Sequence, residues 1–405
     1  MARVIDILYK VHSRGLRWLR SRVIEELRTP STPLGSAIGK VSRPISTLAS
    51  RVRGTLERIL GAGHNSNSLV LVYDLALAPI TFDLAWALVD GEMERRRRGL
   101  KRLDVVFVPG YDEGLRDEGE EYEAVVSRQA RRWRLDHLLV PMCRFVPSIG
   151  AISTACDRSA AATTLRSYGR NVWPQGYSTM VPVAPPRSAR VLALAGSHID
   201  VRVFDAGAEA RRHARAWIDA NCAGMRIVVI TLRDYAYKPA RNSNLEAWGE
   251  FARRLPAGWR AVFVPDAEHA VAAPASLAGM LFCCEAAWNL AFRLGLYEEA
   301  DFNMAVSGGP MNLCWFDARV RYAMVKIVTA SVSQASPEYL VKVGHQIGVQ
   351  PPFVREGQSW VWEDDELSVL QAVFARTTQS SGVVPEHTTS PKADRNCAAA
   401  ATGSS

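Results

Sequence analysis

Arg233, Asp234 and Arg241 fall together in RIVVITLRDYAYKPARNSNLEAWGEFARRL, residues 226–255. The stretch reads as a buried strand over 227–232, a polar loop, and an amphipathic helix over 244–255. Open α/β sheets bind ligands outside the carboxyl ends of their strands. Two guanidinium groups at such an edge, beside a helix N-terminus, suit a phosphate or another anion. Asp234 would orient an arginine or a substrate hydroxyl; the alternative is an Asp–Arg ion pair that only fixes the loop. Asn242 or Ser243 would cap the helix in either case.

A second loop of the same kind follows a strand expected over 301–306. Ser307, Gly308, Gly309 and Pro310 let the backbone approach a ligand closely, and Pro310 suits a first helical turn. The N–H groups of Gly309, Met311 and Asn312 would face a phosphate. A tight strand-to-helix turn needs the same residues with no ligand, but two such loops at one sheet edge weigh more than one. Asp266, Glu268 and His269 follow a strand over 260–265. A carboxylate there could meet a ribose or sugar hydroxyl, although a polar turn is the stronger reading. Glu285 opens another helix and is read the same two ways.

The other chemistry-bearing positions lie earlier. Asp74 ends a strand, LVLVYDLA, and Asp83 opens the helix after it. Either carboxylate could be a general base facing a cleft. Asp83 also suits a first-turn anion, and that structural reading is the stronger for it. No GxxxxGK[ST] is present, no GxGxxG follows 69–74, and no HExxH or paired-His spacing occurs. The run WEDDE, 362–366, lacks Asp-x-Asp spacing. Neither a metal nor a cofactor is expected.

Those residues need a frame of alternating strands and helices. From Leu69 the pattern is strand, helix over 81–98, strand over 103–109, an acidic helix over 118–134, and a strand over 137–141. After the proline-rich VPVAPP, 181–186, comes a helix ending near Asn221. The second set is strand 227–232, helix 244–255, strand 260–265, helix 280–295, strand 301–306, strand 322–328, and a last helix near 364–375. Such alternation implies parallel sheets with crossover helices. The fold class expected is α/β, two doubly wound Rossmann-like domains facing a cleft. Their bounds would be 67–185 and 186–376.

The chain has 405 residues, 48% hydrophobic and 22% charged, as in a soluble globular protein. No stretch approaches a membrane span of about 18 apolar residues. Residues 1–60 hold twelve Lys and Arg against four Asp and Glu; the remainder holds 37 of each. The high pI therefore describes a leader, and a nucleic-acid partner loses its support. Apolar residues at Ile5, Leu8, Val11, Leu16, Leu19, Val23 and Leu27 run at helical spacing among the basic ones. The leader, 1–66 with its linker, would pack on the body or on a partner, or lie on an anionic membrane surface. Asp6, Lys10 and Arg14 interrupt any signal-peptide core. Seven cysteines with no CxxC suit reduced thiols in the cytoplasm. The Ser/Thr/Ala-rich tail, 377–405, is expected to be disordered.

LVLVYDLALAPITFD, VVITLRDYAYKPARNSNLEAWGEFARRL, AVFVPD and FNMAVSGGPMNL together resemble glycosyltransferases of the GT-B type, in the heptosyltransferase-like and fucosyltransferase-like neighbourhood. The resemblance covers about 69–375. It implies a nucleotide-sugar donor on the C-terminal half, a glycan or lipid-linked acceptor on the N-terminal half, and no bound metal. Arg233, Arg241 and the 307–312 turn would then hold the diphosphate; the resemblance does not identify the acceptor-side base, for which the first half offers Asp74 or Asp83. The helix near 364–375 resembles the segment that crosses back to the N-terminal domain. A sugar-nucleotide epimerase or hydrolase on the same fold is the rival enzyme, and a non-catalytic nucleotide- or sugar-binding protein the rival of another class.

Overall fold

The computed structural model describes residues 67–185, 188–271 and 274–379. The basic leader and most of the tail lie outside them. The first half contains β1 (Ser68–Asp74), α1 (Leu84–Arg97), β2 (Arg102–Val108), α2 (Glu120–Glu123), α3 (Arg128–Arg134), α4 (Val140–Cys143), β3 (Ile149–Thr154), α5 (Arg158–Arg166) and β4 (Val172–Trp173). Helices α6 (Ser188–Gly196) and α7 (Ala208–Cys222) follow. The second half contains β5 (Arg226–Thr231), α8 (Leu245–Arg253), β6 (Trp259–Val264), α9 (Glu285–Trp288), α10 (Leu290–Glu299), β7 (Phe302–Val306), α11 (Met311–Trp315), β8 (Tyr322–Val325), α12 (Pro337–Lys342), β9 (Gln358–Trp360) and α13 (Leu367–Gln379).

Two parallel sheets result, in the orders β3-β2-β1-β4 and β6-β5-β7-β8-β9. Every residue of β1 is buried, as a parallel strand covered on both faces requires. Period-two alternation sends Leu69 and Leu71 into one core and Val70 and Val72 into another. In β5, Ile227 and Val229 join the same core as Leu69 and Leu71, while Val228 and Ile230 pack outward with Trp248 and Phe251 of α8. The two sheets thus turn one face each onto a shared core.

Aromatic rings fill that core where the halves meet. Trp86 of α1 lies 5.7 Å from Trp315, 4.9 Å from Phe316 and 6.2 Å from Phe353, centre to centre. Gly295 lets α10 press against α7, since a Cβ there would stand 2.6 Å from the Ala210 carbonyl oxygen. The last helix, α13, puts Phe374 among Phe251, Trp259 and Phe302, on the outer face of the second sheet.

Several elements differ from expectation. Residues 137–141 form no strand: Leu135–Leu139 is a π-helical turn that runs into α4. The apolar run HLLVP carries no alternation, and a run that short does not separate strand from helix. The expected helix over 118–134 is two helices, with Ser127 capping the second through Ala130 N–H at 3.1 Å. The expected helix over 280–295 is likewise broken, because Asn289 turns extended and caps α10. Cap and helix signals were both present there, and the internal cap won.

Candidate functional site at the facing sheet edges

In the second sheet the chain order reverses between β5 and β7, and open α/β sheets bind ligands at such a reversal. The loop after β5 carries Arg233 and Arg241, and the loop after β7 carries Ser307. Arg241 bridges them, its Nη2 donating to the Ser307 carbonyl oxygen at 3.1 Å. Arg233 is held by its own loop. Its guanidinium donates to the carbonyl oxygens of Lys238 (3.2 Å) and Tyr237 (2.6 Å) and to Asn242 Oδ1. Asn242 also accepts from Tyr235 N–H at 3.2 Å, and Ser243 Oγ accepts from Arg233 N–H at 2.9 Å. These two residues therefore staple the loop. The cap of α8 is Asn244, which accepts from Ala247 N–H at 3.2 Å.

Neither arginine forms an ion pair with a carboxylate among the described residues. Burial pushes the Arg233 pKa down to about 10, and the neighbouring charge of Arg241 pushes the same way. Burial also lowers Arg241, against the opposing pull of Asp83. These are two partly desolvated like charges bonded only to neutral oxygens, with Asp266 and Asp234 near Arg233 and Asp83 near Arg241 but none of them paired, an arrangement that an anion would complement.

The alternative Asp–Arg pair does not form; Asp234 meets His269 instead, with 2.7 Å between Oδ2 and Nδ1. Asp266 is half-buried after β6. Burial raises its pKa, while the charges of Arg293 and Arg233 and the N–H groups of Ala267 and Asp234 hold it down. It ties the β5 and β6 loops together beside the arginines.

The glycine turn does something other than expected. Met311 and Asn312 N–H donate to the carbonyls of Gly308 and Gly309, at 3.2 and 3.0 Å. Those donors serve the turn itself and are not aimed at a phosphate. Gly309 lies against Phe82 of the first half, where a Cβ would come within 2.6 Å of the ring. Asn312 Nδ2 donates to the Phe82 carbonyl at 3.3 Å, and Met311 is buried in the core. The close approach that glycine permits is to the other half of the protein.

Asp74 and Asp83 separate clearly. Asp74 is 0% exposed at the end of β1. It takes a two-pronged bond from Arg158, at 2.9 and 2.8 Å, plus Tyr177 Oη at 2.6 Å and Ala76 N–H at 2.9 Å. That closes the reversal point of the first sheet, between β1 and β4, with a satisfied ion pair. Asp74 is thus placed as a structural anchor, both of its oxygens engaged by Arg158 and one by Tyr177. Asp83 is exposed, its side chain caps nothing in α1, and its charge acts on Arg241 of the second half. The acidic run is also structural at one position: Asp365 is buried and accepts from Asn244 N–H (2.6 Å) and Trp248 Nε1 (2.9 Å). Among the described residues, no group of three His, Cys, Asp or Glu side chains is placed to hold a metal ion. No described helix is long and apolar enough to cross a membrane.

Two further arginines lie at this site, and no motif in the sequence assigns either of them to it. Arg293 is 5% exposed, and its Nε donates to the Ala286 carbonyl. Arg134, from the first half, donates to Tyr235 Oη at 2.9 Å. Nothing in RQARRWR marks which of its arginines turns toward the cleft.

No family model matches the chain, and no curated protein does. Among solved structures it is similar to the E. coli ADP-heptose LPS heptosyltransferase II, at 10% identity and a TM-score of 0.46, over 77% of this chain and 99% of that one. It is similar to the family 9 glycosyl transferase of Veillonella parvula at 10% identity and a TM-score of 0.47, over 78% and 98%. It is also similar to the wall teichoic acid polymerase TagF, at 7% identity and a TM-score of 0.29, over 83% and 90%. Identities this low say nothing about substrate.

Proposed function

We propose that this protein is a metal-independent glycosyltransferase of GT-B type, moving a sugar from a nucleotide-sugar donor to a glycan or lipid-linked acceptor. The observation that carries the reading is the pair of carboxylate-free arginines, Arg233 and Arg241, at the reversal point of the second sheet and facing Asp83. The donor diphosphate binds there, and the acceptor enters from the first half. Asp83 takes the proton of the acceptor hydroxyl as its oxygen attacks the anomeric carbon. The bond to the diphosphate breaks, and the arginines stabilise the charge left on it. The proposed domain bounds are 67–185 and 186–379, the second end moved from the expected 376 because α13 runs to Gln379.

Release of nucleoside diphosphate from nucleotide sugars only when an acceptor is present is the direct test. Release without acceptor favours a hydrolase, isomerised donor an epimerase, and binding without turnover a non-catalytic protein. Arg233→Ala and Arg241→Ala should each weaken nucleoside diphosphate binding by about 1.5–3 kcal/mol, the scale of hydrogen bonds to a charged group. Lysine at either position should restore part of it, since the planar fork is lost. Wild-type affinity in both folded alanine variants would leave the arginines as loop ties.

The basic leader supports a cytoplasmic enzyme held at the inner membrane face, close to a lipid-linked acceptor. Each basic residue near anionic lipid contributes about 1 kcal/mol. Full-length protein should co-sediment with anionic vesicles in a salt-sensitive way, and a chain beginning near Gly63 should not. Equal sedimentation of the two would remove the leader from the membrane.

A further inference from the structure

We propose that Arg134 is a ligand for the same anion, reaching it from the opposite half, so that the site selects an anion of two linked phosphoryl groups over a single phosphate, held by both halves at once. This rests on the anion site proposed at Arg233 and Arg241.

Four arginines lie on α3, and their partners set one apart. Arg128 pairs with Asp112 and Glu113, Arg131 with Glu123, and Arg132 with Glu113. Arg134 donates to two phenols, Tyr122 Oη at 3.2 Å and Tyr235 Oη at 2.9 Å. Among the described residues no carboxylate lies within ion-pair distance of it. The helix sits beside an acidic stretch that pairs its other cations, and only the one facing the arginine loop lacks a paired carboxylate, the charge of Glu268 reaching it from beyond ion-pair distance.

The second observation is where that cation goes. Tyr235 belongs to the arginine loop of the second half. The Arg134 guanidinium lies 5.5 Å from the Tyr235 ring centre, and the Arg233 guanidinium lies 5.8 Å from the same ring. Two positive charges from different halves therefore share one aromatic ring. The ring face attracts each of them, but it leaves their mutual repulsion in place. A polyanion between them would remove that repulsion and replace the phenol as acceptor.

The surroundings hold Arg134 in reach of the loop. Tyr122 meets Tyr237 edge-on at 5.1 Å, and Lys238 pairs with Glu121. A π-helical turn, a feature frequent at functional sites, directly follows Arg134. Anion binding and the docking of α2 and α3 on the arginine loop are then coupled.

Calorimetric titration of the full chain with inorganic pyrophosphate and with orthophosphate tests this. Arg134→Gln should weaken pyrophosphate about tenfold, the loss expected for one charged hydrogen bond, and orthophosphate by less. Arg134→Lys should fall between, which covers the case in which the glutamine variant does not fold. Tyr235→Phe keeps the ring and removes the phenol, and should bind pyrophosphate about as tightly as wild type. Wild-type pyrophosphate affinity in a folded Arg134→Gln variant, with Tyr235→Phe lowering thermal stability alone, would reduce Arg134 to a tie between halves. Binding of neither anion by wild type would overturn the anion site itself, and this proposal with it.

Discussion

Asp83→Asn lowers the transfer rate by about 10²–10⁴-fold, the contribution of a positioned general base, and does not weaken nucleoside diphosphate binding. Asp83 opens α1 at the carboxyl edge of the first sheet, next to Phe82, which touches Gly309 of the second half. It is exposed and caps no N–H of its helix, so the substitution removes a base without removing a structural bond. A cap residue exchanged for asparagine would lose little, because asparagine caps as well as aspartate. Turnover measured with saturating donor and acceptor separates base from bystander. A folded Asp83→Asn enzyme within threefold of wild type would exclude the role, and the base would have to come from the acceptor or from elsewhere on the first half.

Asp74→Ala acts on stability instead, costing about 3–5 kcal/mol, the usual result of removing one partner from a buried ion pair. Arg158 would keep the carbonyls of Pro109 and Thr179 but lose its carboxylate partner among the described residues, and Tyr177 would lose its 2.6 Å acceptor. Asp74→Asn keeps the shape and some of the hydrogen bonds and should lie between. The midpoint of chemical unfolding measures both. Wild-type stability together with a collapsed rate would return Asp74 to the chemistry.

Much of this fold was legible because parallel strands buried on both faces are nearly continuous apolar runs. SLVLVYD, RLDVVFV and RIVVIT carry that signature, and all three are strands. The strands that escaped notice are at or near sheet edges and short. IGAIST is largely exposed, and VW and QSW have too few residues to show a period. The run 137–141 failed for the opposite reason, being apolar enough for a strand and lying within a helix.

The site was legible in its addresses and not in its bonds. Strand ends placed Arg233, Arg241, Asp266 and Ser307 at one sheet edge, and they are there. Which groups remain available depends on partners far away in sequence. Arg158 reaches Asp74 across 84 residues, Phe82 covers Gly309 from the other half, and Arg134 meets Tyr235 across 101. No local pattern records such contacts. The N–H groups after Gly309 looked free because a glycine turn reads the same whether its donors face a ligand or its own carbonyls.

Direct titration of the full chain with a panel of nucleoside diphosphates bears most closely on the central claim. The account predicts that at least one binds with a dissociation constant below about 1 mM, that is, more favourably than about −4 kcal/mol. The affinity should fall with added salt and fall further when Arg233 and Arg241 are both replaced by glutamine. Binding of none of them at millimolar concentration, by a protein shown to be folded, would contradict it.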